Sequence, residues 1–295
     1  MPYGNLQLHH PPPRCDLADR LRPSSPARSR IAGPARRQSL ESAAIATVAR
    51  ICRYPIKGLS AQELPSVRLV AGEGVAQDRA FALARPGTAF DPAHPRWLPK
   101  RHFLMLMRDE RLAALRVAYD ETAERVAIRQ DGAVVLAADL ATAEGRDAVE
   151  RFFEGFMGGA LGGRPRLVRA PGHMFSDHAT KYLSLINLAT VHELERALGR
   201  PVDPLRFRGN LYVTGLPAWA ELDWLGRTVA AGEVRCRAVE RIERCAATNV
   251  DPVSAARDLN IPLALRQRWG HLDCGVMLQV TASGVLDAGA AIDAV

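Results

Sequence analysis

Short stretches of β-branched or alternating apolar character, cut apart by turn-forming residues, run through most of this 295-residue sequence. A chain patterned in this way has to satisfy its backbone groups by pairing strands, so sheets are the first expectation. The clearest early stretches are 47–54, 66–69, 79–85, 113–119, 126–129 and 133–137, with Ala71-Gly72-Glu73-Gly74 and Asp131-Gly132 among the turns between them. Later ones are 182–186, 210–214, 228–231, 234–239, 276–280 and 284–286. Two helical patterns interrupt the strands. Val149, Phe152, Phe153, Phe156 and Met157 fall on one face ahead of Gly158-Gly159, and Leu188, Val191, Leu194 and Leu198 follow Asn187 as N-cap and stop at Gly199 and Pro201. Strands on both sides of so few helices predict a mainly β, α+β fold built as a barrel or folded-over sheet, and not a parallel α/β fold.

Residues 1–45 differ from the rest. They hold seven Arg, no Lys and three acids among many Pro and Ser, and carry more than half of the net charge of +7. Such a segment cannot bury enough surface to order itself and is expected to be a disordered arm. The remainder is mildly basic and lacks a continuous Lys/Arg stripe, which argues against nucleic acid as a partner. Five cysteines, Cys15, Cys52, Cys236, Cys245 and Cys274, form no C-x-x-C pair, a usage unlike a secreted disulfide framework. With no apolar run of membrane-spanning length, the expectation is a cytoplasmic protein without a membrane partner.

Cys245 stands in Glu243-Arg244-Cys245-Ala246-Ala247-Thr248-Asn249-Val250-Asp251-Pro252, after a strand and before a polar turn. Flanking Arg241 and Arg244 favour a thiolate, the form that binds soft metals or attacks electrophiles. A buried structural cysteine fits the same residues equally well. Other segments place cations at strand ends: Tyr54-Pro55-Ile56-Lys57-Gly58, Asp78-Arg79, and Leu205-Arg206-Phe207-Arg208-Gly209-Asn210. Lysine is scarce, with only Lys57, Lys100 and Lys181, so Lys57 between Pro-Ile and Gly is pointed. Each of these cations alone reads as easily as a solvated turn charge. Arg208 could fork onto a phosphate, and a helix capped by Asn187 offers free N–H groups to the same anion.

Taken in order, Y-P-x-K, G-x-x-x-D-R, a polar helix start, R-F-R-x-N, and R-C-x-x-T-x-V-D-P followed by R-x-x-G-H-x-x-x-G-V resemble the MOSC superfamily with its N-terminal β-barrel domain. The resemblance covers about 46–294 and is most specific at the cysteine element. It implies an N-terminal β-barrel-like domain over 46–140 and a MOSC β-barrel domain with connecting helices over 141–295. It further implies a pyranopterin molybdenum cofactor, with Cys245 as the metal's sulfur ligand and Arg244 and Thr248 beside it. Lys57, Arg79, Arg208 and Asn210 would hold the pterin and its phosphate, Asn187 and Thr190 would serve at the helix start, and Arg206 would be a further member. The relatives it looks like include the mitochondrial amidoxime-reducing component and its bacterial counterparts, which reduce N-hydroxylated compounds. Cys274, where the family more often has an aromatic residue, Asn187 in place of a common serine, and the N-terminal arm depart from the pattern.

An oxidoreductase acting on N-hydroxylated or N-oxide compounds needs electrons, and this sequence has no cysteine spacing for an iron–sulfur cluster, no haem motif and no G-x-G-x-x-G signature. A separate flavin, haem or iron–sulfur reductase is therefore the expected partner, beside a small-molecule substrate. The same residues would equally serve a non-catalytic carrier of sulfur or cofactor with a persulfide on Cys245. A structural zinc site from Cys236, Cys245, His271 and Cys274 has poorly matching spacings. Among the histidines His271, near Asp273 and downstream of Cys245, is the one placed to face a pterin.

Overall fold

The computed structural model of the protein describes residues 45–295, so the expected 1–45 arm lies, but for its last residue, outside the described residues. Its first half contains strands β1 (Thr47–Arg53), β2 (Gln62–Leu64), β3 (Ser66–Leu69), β4 (Phe81–Ala84), β5 (Arg116–Asp120), β6 (Arg125–Gln130) and β7 (Ala133–Asp139), then helix α1 (Ala143–Met157) and β8 (Arg166–Arg169). The second half contains β9 (Leu183–Asn187), α2 (Leu188–Leu198), β10 (Leu211–Thr214), β11 (Thr228–Ala231), β12 (Val234–Glu243), α3 (Ile261–Trp269), β13 (Asp273–Ala282), β14 (Gly284–Asp287) and β15 (Ile292–Ala294). The fold is mainly β, as the patterning predicts, and contains three helices among the described residues.

An eight-stranded sheet in the order β15-β11-β12-β13-β9-β10-β1-β2 dominates, curled into a half-barrel. All its pairs are antiparallel except β9 and β10, which α2 joins as a crossover between parallel neighbours. One face buries Val48, Ile51, Leu185, Val213, Val229, Ala238 and Leu278 in the largest core. A second core forms where the meander β5-β6-β7 meets α1, and it also takes in Ile56, Leu59, Phe81 and Leu83 from the loops after β1 and from β4. The segments on either side of residue 140 therefore share both a sheet, through β1 beside β10, and a core.

Local chemistry explains the elements. In β5, Val117 and Tyr119 point inward while Arg116, Ala118 and Asp120 face solvent, the period-two alternation of a half-buried strand. Asp131 and Gly132 join β6 to β7 with φ of 50° and 82°, the two left-handed residues of a tight hairpin. Thr142 caps α1 by accepting the Gly145 amide at 3.0 Å, and Val149, Phe153 and Met157 are its buried stripe. Asn187 caps α2 through the Ala189 amide at 3.0 Å, and Gly199 ends it at φ 65°. Helix α3 was not expected. Its signals were present, with Asn260 accepting from the Leu263 amide at 3.2 Å, Pro262 in the first turn and Gly270 at φ 77°, but charged residues break its short apolar face of Ile261, Ala264 and Leu265. Strands β2, β8 and β15 also escaped the sequence reading; each is three or four residues long and takes its identity from the partner it pairs with.

Three chain segments leave this framework together. The exit of β1 carries Lys57, the end of β12 carries Arg244 and Cys245, and the connection from α2 to β10 carries Arg206, Arg208 and Asn210. Close backbone approach fixes their spacing. Gly275 in β13 sits at φ 86°, and a Cβ there would stand 2.3 Å from the Leu185 carbonyl oxygen and 3.1 Å from Arg244 Nη2.

Candidate functional site

A cleft of about 370 Å³ opens where those segments meet, and Lys57, Arg79, Arg206, Arg208, Asn210, Arg244, Cys245 and Thr248 all line it. Cys245 follows β12 and precedes a short 3-10 turn, Ala246–Asn249. Its carbonyl accepts the Thr248 amide at 3.0 Å and the Thr248 hydroxyl at 2.9 Å, which fixes the turn that presents the thiol. Cys245 is half-buried, whereas Cys52, Cys236 and Cys274 are buried. Burial pushes the thiol of Cys52 up to about 11 and those of Cys236 and Cys274 to about 12, so these three are inert packing groups. Cys15 lies outside the described residues. Cys236 and Cys274 belong to different cores, and no group of three or more His, Cys, Asp or Glu able to hold a metal gathers among the described residues.

The cations differ in how far the protein neutralises them. Lys57 is 7% exposed, and its ammonium donates to the Phe175 carbonyl at 2.9 Å and to Asp177 Oδ1 at 2.6 Å. Burial lowers its pKa and the Asp177 charge restores only part of the loss. Arg79 is paired with Asp78 and donates to the Arg208 carbonyl at 3.1 Å; burial opposes its charge, but Asp78 and Tyr54 outweigh that and leave its pKa raised. Arg208 donates to the Leu59 carbonyl at 2.7 Å and has no carboxylate within salt-bridge reach among the described residues. Arg244, likewise without one, donates to the carbonyls of Phe207 at 3.0 Å and Cys274 at 2.7 Å. Burial lowers the pKa of both. Arg206 is different, because Asp251 at 2.7 Å and Asp258 at 2.8 Å already hold its charge.

Two further charged residues at this cleft were not singled out from the sequence. Lys100 Nζ stands 3.7 Å from Cys245 Sγ and 3.4 Å from Asp177 Oδ2, so Asp177 bridges Lys57 and Lys100. Burial raises the Asp177 pKa, but the two ammonium groups outweigh it and hold the carboxyl well below the usual range. The scarcity of lysine was a signal that Lys100 shared with Lys57; Asp177, in a turn-rich run, offered none. Met105, Met107, Met174 and Met277 also line the cleft, four of the six methionines in the chain. Among the described residues, the cations Lys57, Arg79, Lys100, Arg208 and Arg244 have salt-bridge partners only in Asp78 and Asp177, with the exposed Glu243 also lining the cleft. An excess of buried positive charge in an open cleft is a site for an anion.

Asn187 and Thr190 are not brought to this cleft. Both are fully buried and bonded to Glu221, through Asn187 Nδ2 at 2.9 Å and Thr190 Oγ1 at 2.9 Å, so the anion at the start of α2 is a side chain of the protein itself. Asn210 reaches the cleft wall, but its amide is committed inward: Oδ1 accepts from Ser184 Oγ at 2.9 Å while Nδ2 donates to the Cys52 carbonyl and to Asp78, each at 3.1 Å. His271 also turns away, its Nδ1 accepting the Asp273 amide at 3.0 Å and its ring 5.8 Å from that of Trp219.

Residues 170–293 match the MOSC domain family. The MOSC segment contains Arg206, Arg208, Asn210, Arg244, Cys245 and Thr248, while Lys57, Arg79 and Lys100 precede it. Among solved structures the chain is similar to the YUAD protein of Bacillus subtilis, with 12% identity and a TM-score of 0.40 over 84% of this chain and 93% of that one. It is also similar to YiiM of Geobacillus stearothermophilus, with 24% identity and a TM-score of 0.31 over 38% of this chain and 53% of that one. No curated protein matches the sequence. No helix among the described residues is long and apolar enough to cross a membrane.

Proposed function

We propose that the cleft binds a pyranopterin molybdenum cofactor through Cys245 and that the protein is an oxidoreductase for N-hydroxylated or N-oxide compounds, supplied with electrons by a separate donor protein. The observation that carries this reading is the half-buried Cys245 thiol sharing one cleft with Lys57, Arg79, Arg208 and Arg244. The donor set fits the group. One accessible soft sulfur suits a thiophilic metal, incompletely neutralised guanidinium and ammonium groups suit an organic phosphate, and the volume is that of a small-molecule site.

Bound there, the cofactor would supply two-electron removal of oxygen from a substrate. The protein's own contribution is holding and orienting. Lys57, Arg79 and Arg208 would hold the phosphate, while Thr248 locks the turn that aims the Cys245 sulfur and Arg244 ties that turn to β13 through the Cys274 carbonyl. Lys100, its ammonium 3.7 Å from Sγ, would stabilise negative charge beside the sulfur and would be the side chain placed to donate a proton there.

Lys100 also favours a second reading, because an ammonium at 3.7 Å would stabilise an anionic persulfide on Cys245 in a carrier of sulfur or cofactor. One preparation separates the two. The full chain, expressed with cofactor synthesis intact, is analysed for molybdenum and pterin, and benzamidoxime reduction is assayed with a chemical electron donor. Stoichiometric metal, turnover, and loss of both in Cys245→Ser are expected. A labile adduct of about +32 Da on Cys245 without molybdenum would instead select the carrier.

A further inference from the structure

Tyr54 does not line the cleft, yet two of the cleft's cations are arranged on it. The guanidinium carbons of Arg79 and Arg208 stand 4.7 Å and 4.3 Å from the centre of its ring. The ring is 1% exposed and its position is over-determined. Its amide donates to Asp78 Oδ1 at 2.7 Å, and its hydroxyl donates to the Gly209 carbonyl at 3.2 Å beside Tyr212 Oη at 3.3 Å. Burial, partly offset by Arg208, pushes the Tyr54 phenol up to about 12, so it stays a neutral hydrogen-bond donor.

Both arginines also have unusual backbones. Arg79 lies at φ 49° and Arg208 at φ 53°, the left-handed region that non-glycine residues rarely occupy and that persists only where surroundings impose it. The Arg79 charge opposes that of Arg208, and Asp78, the carboxylate paired with Arg79, offsets only part of this. What faces both is the negative π surface of one buried ring, the environment in which cation–π attraction is strongest. Hydrogen bonds complete the arrangement: Arg79 Nη2 donates to the Arg208 carbonyl at 3.1 Å, and Arg208 Nη1 to the Leu59 carbonyl at 2.7 Å.

We propose that Tyr54 is a positioning residue that holds Arg79 and Arg208 as a preformed pair for one phosphate or pyrophosphate group. The identity of the natural ligand rests on the cofactor reading above; the clamp itself does not. A pair already fixed in its bound geometry loses little conformational freedom on binding, and that is where its affinity originates.

Inorganic pyrophosphate titrated calorimetrically into the full chain, purified from cells that do not make the cofactor so that the cleft is open, is the test. Tyr54→Phe keeps the ring face and should bind within about threefold of wild type, whereas Tyr54→Leu should weaken binding about tenfold or more while circular dichroism shows the native fold. Should the Leu variant fail to fold, the wild-type protein decides. With labelled arginine, the side-chain proton resonances of Arg79 and Arg208 should show the ring-current shift of a stacked aromatic face and keep it when pyrophosphate is added. Unshifted resonances, equal binding by Tyr54→Leu, or no binding by the wild-type chain would each overturn the proposal. Pyrophosphate binding through this pair, in a protein that carries no pterin even when cofactor synthesis is intact, would sink the cofactor reading and leave the clamp standing. Molybdenum retained undiminished by a folded Tyr54→Leu would do the reverse.

Discussion

The cleft and the start of α2 both gather buried polar groups around a spot suited to an anion, and they differ in who supplies it. At α2 the donors Asn187 and Thr190 converge on Glu221, which is fully buried. At the cleft Arg208 and Arg244 have no carboxylate within salt-bridge reach among the described residues, and Lys57 and Lys100 share one between them. A donor set is open to an outside anion only where the protein has not filled it, so two places that read alike in sequence differ in what they leave free.

The largest effect should come from breaking the cleft alone. Lys57→Met combined with Arg208→Ala is expected to cut retained molybdenum and pterin by about a hundredfold, since two charge-assisted contacts to phosphate are lost. Asn187→Ala, compared per mole of folded protein, should leave retention near wild type. Metal analysis of both proteins checks this, and equal losses would erase the distinction between the two places.

Stability should respond in the opposite sense. Glu221→Ala orphans the Asn187 and Thr190 donors and should cost about 2–4 kcal/mol in urea unfolding, with Glu221→Gln costing less because it keeps shape and one acceptor. Pyrophosphate binding at the cleft should be unchanged in the Gln variant. Asp177→Asn sharpens the comparison in the other direction. Freed of its internal carboxylate, Lys57 should make the cleft bind pyrophosphate several-fold more tightly, read by calorimetry; weaker binding would mean that Asp177 orients the lysines and does not compete for them.

The smallest effect is in the pH dependence of stability. Burial raises the Glu221 pKa more than its hydrogen bonds lower it, so its contribution is full below the unfolded value of about 4.3 and is lost as pH rises through the folded value. Asp177, depressed in the folded protein, contributes above its unfolded value of about 3.9 and loses that contribution as pH falls through the folded value. Glu221→Gln should flatten the slope above the first value and Asp177→Asn the slope below the second, in unfolding measured across pH.

Much of the fold was legible because its signals are local. Asp131-Gly132, the Asn187 cap and the aromatic stripe of α1 each work within a few residues, and the strands they bound appear where alternation placed them. Helix α3 was not legible because its broken apolar face outweighed its capping signals. The candidate site was legible as residue types: eight of its members, Cys245 among them, meet in one cleft. Lys100 and Asp177 could not be read, since an ammonium beside a sulfur is a fact about two segments 145 positions apart.

The sequence by itself determined where strands, turns and two helices would form and which thiol and cations were available, because periodicity, capping and charge are properties of short segments. Only the tertiary structure decided which of those charges remain unspent. Whether Arg206 is silenced by Asp251 and Asp258, whether α2 begins on Glu221, and whether Arg208 rests on Tyr54 without a carboxylate all depend on groups distant in the chain, and burial makes each of those pairings count.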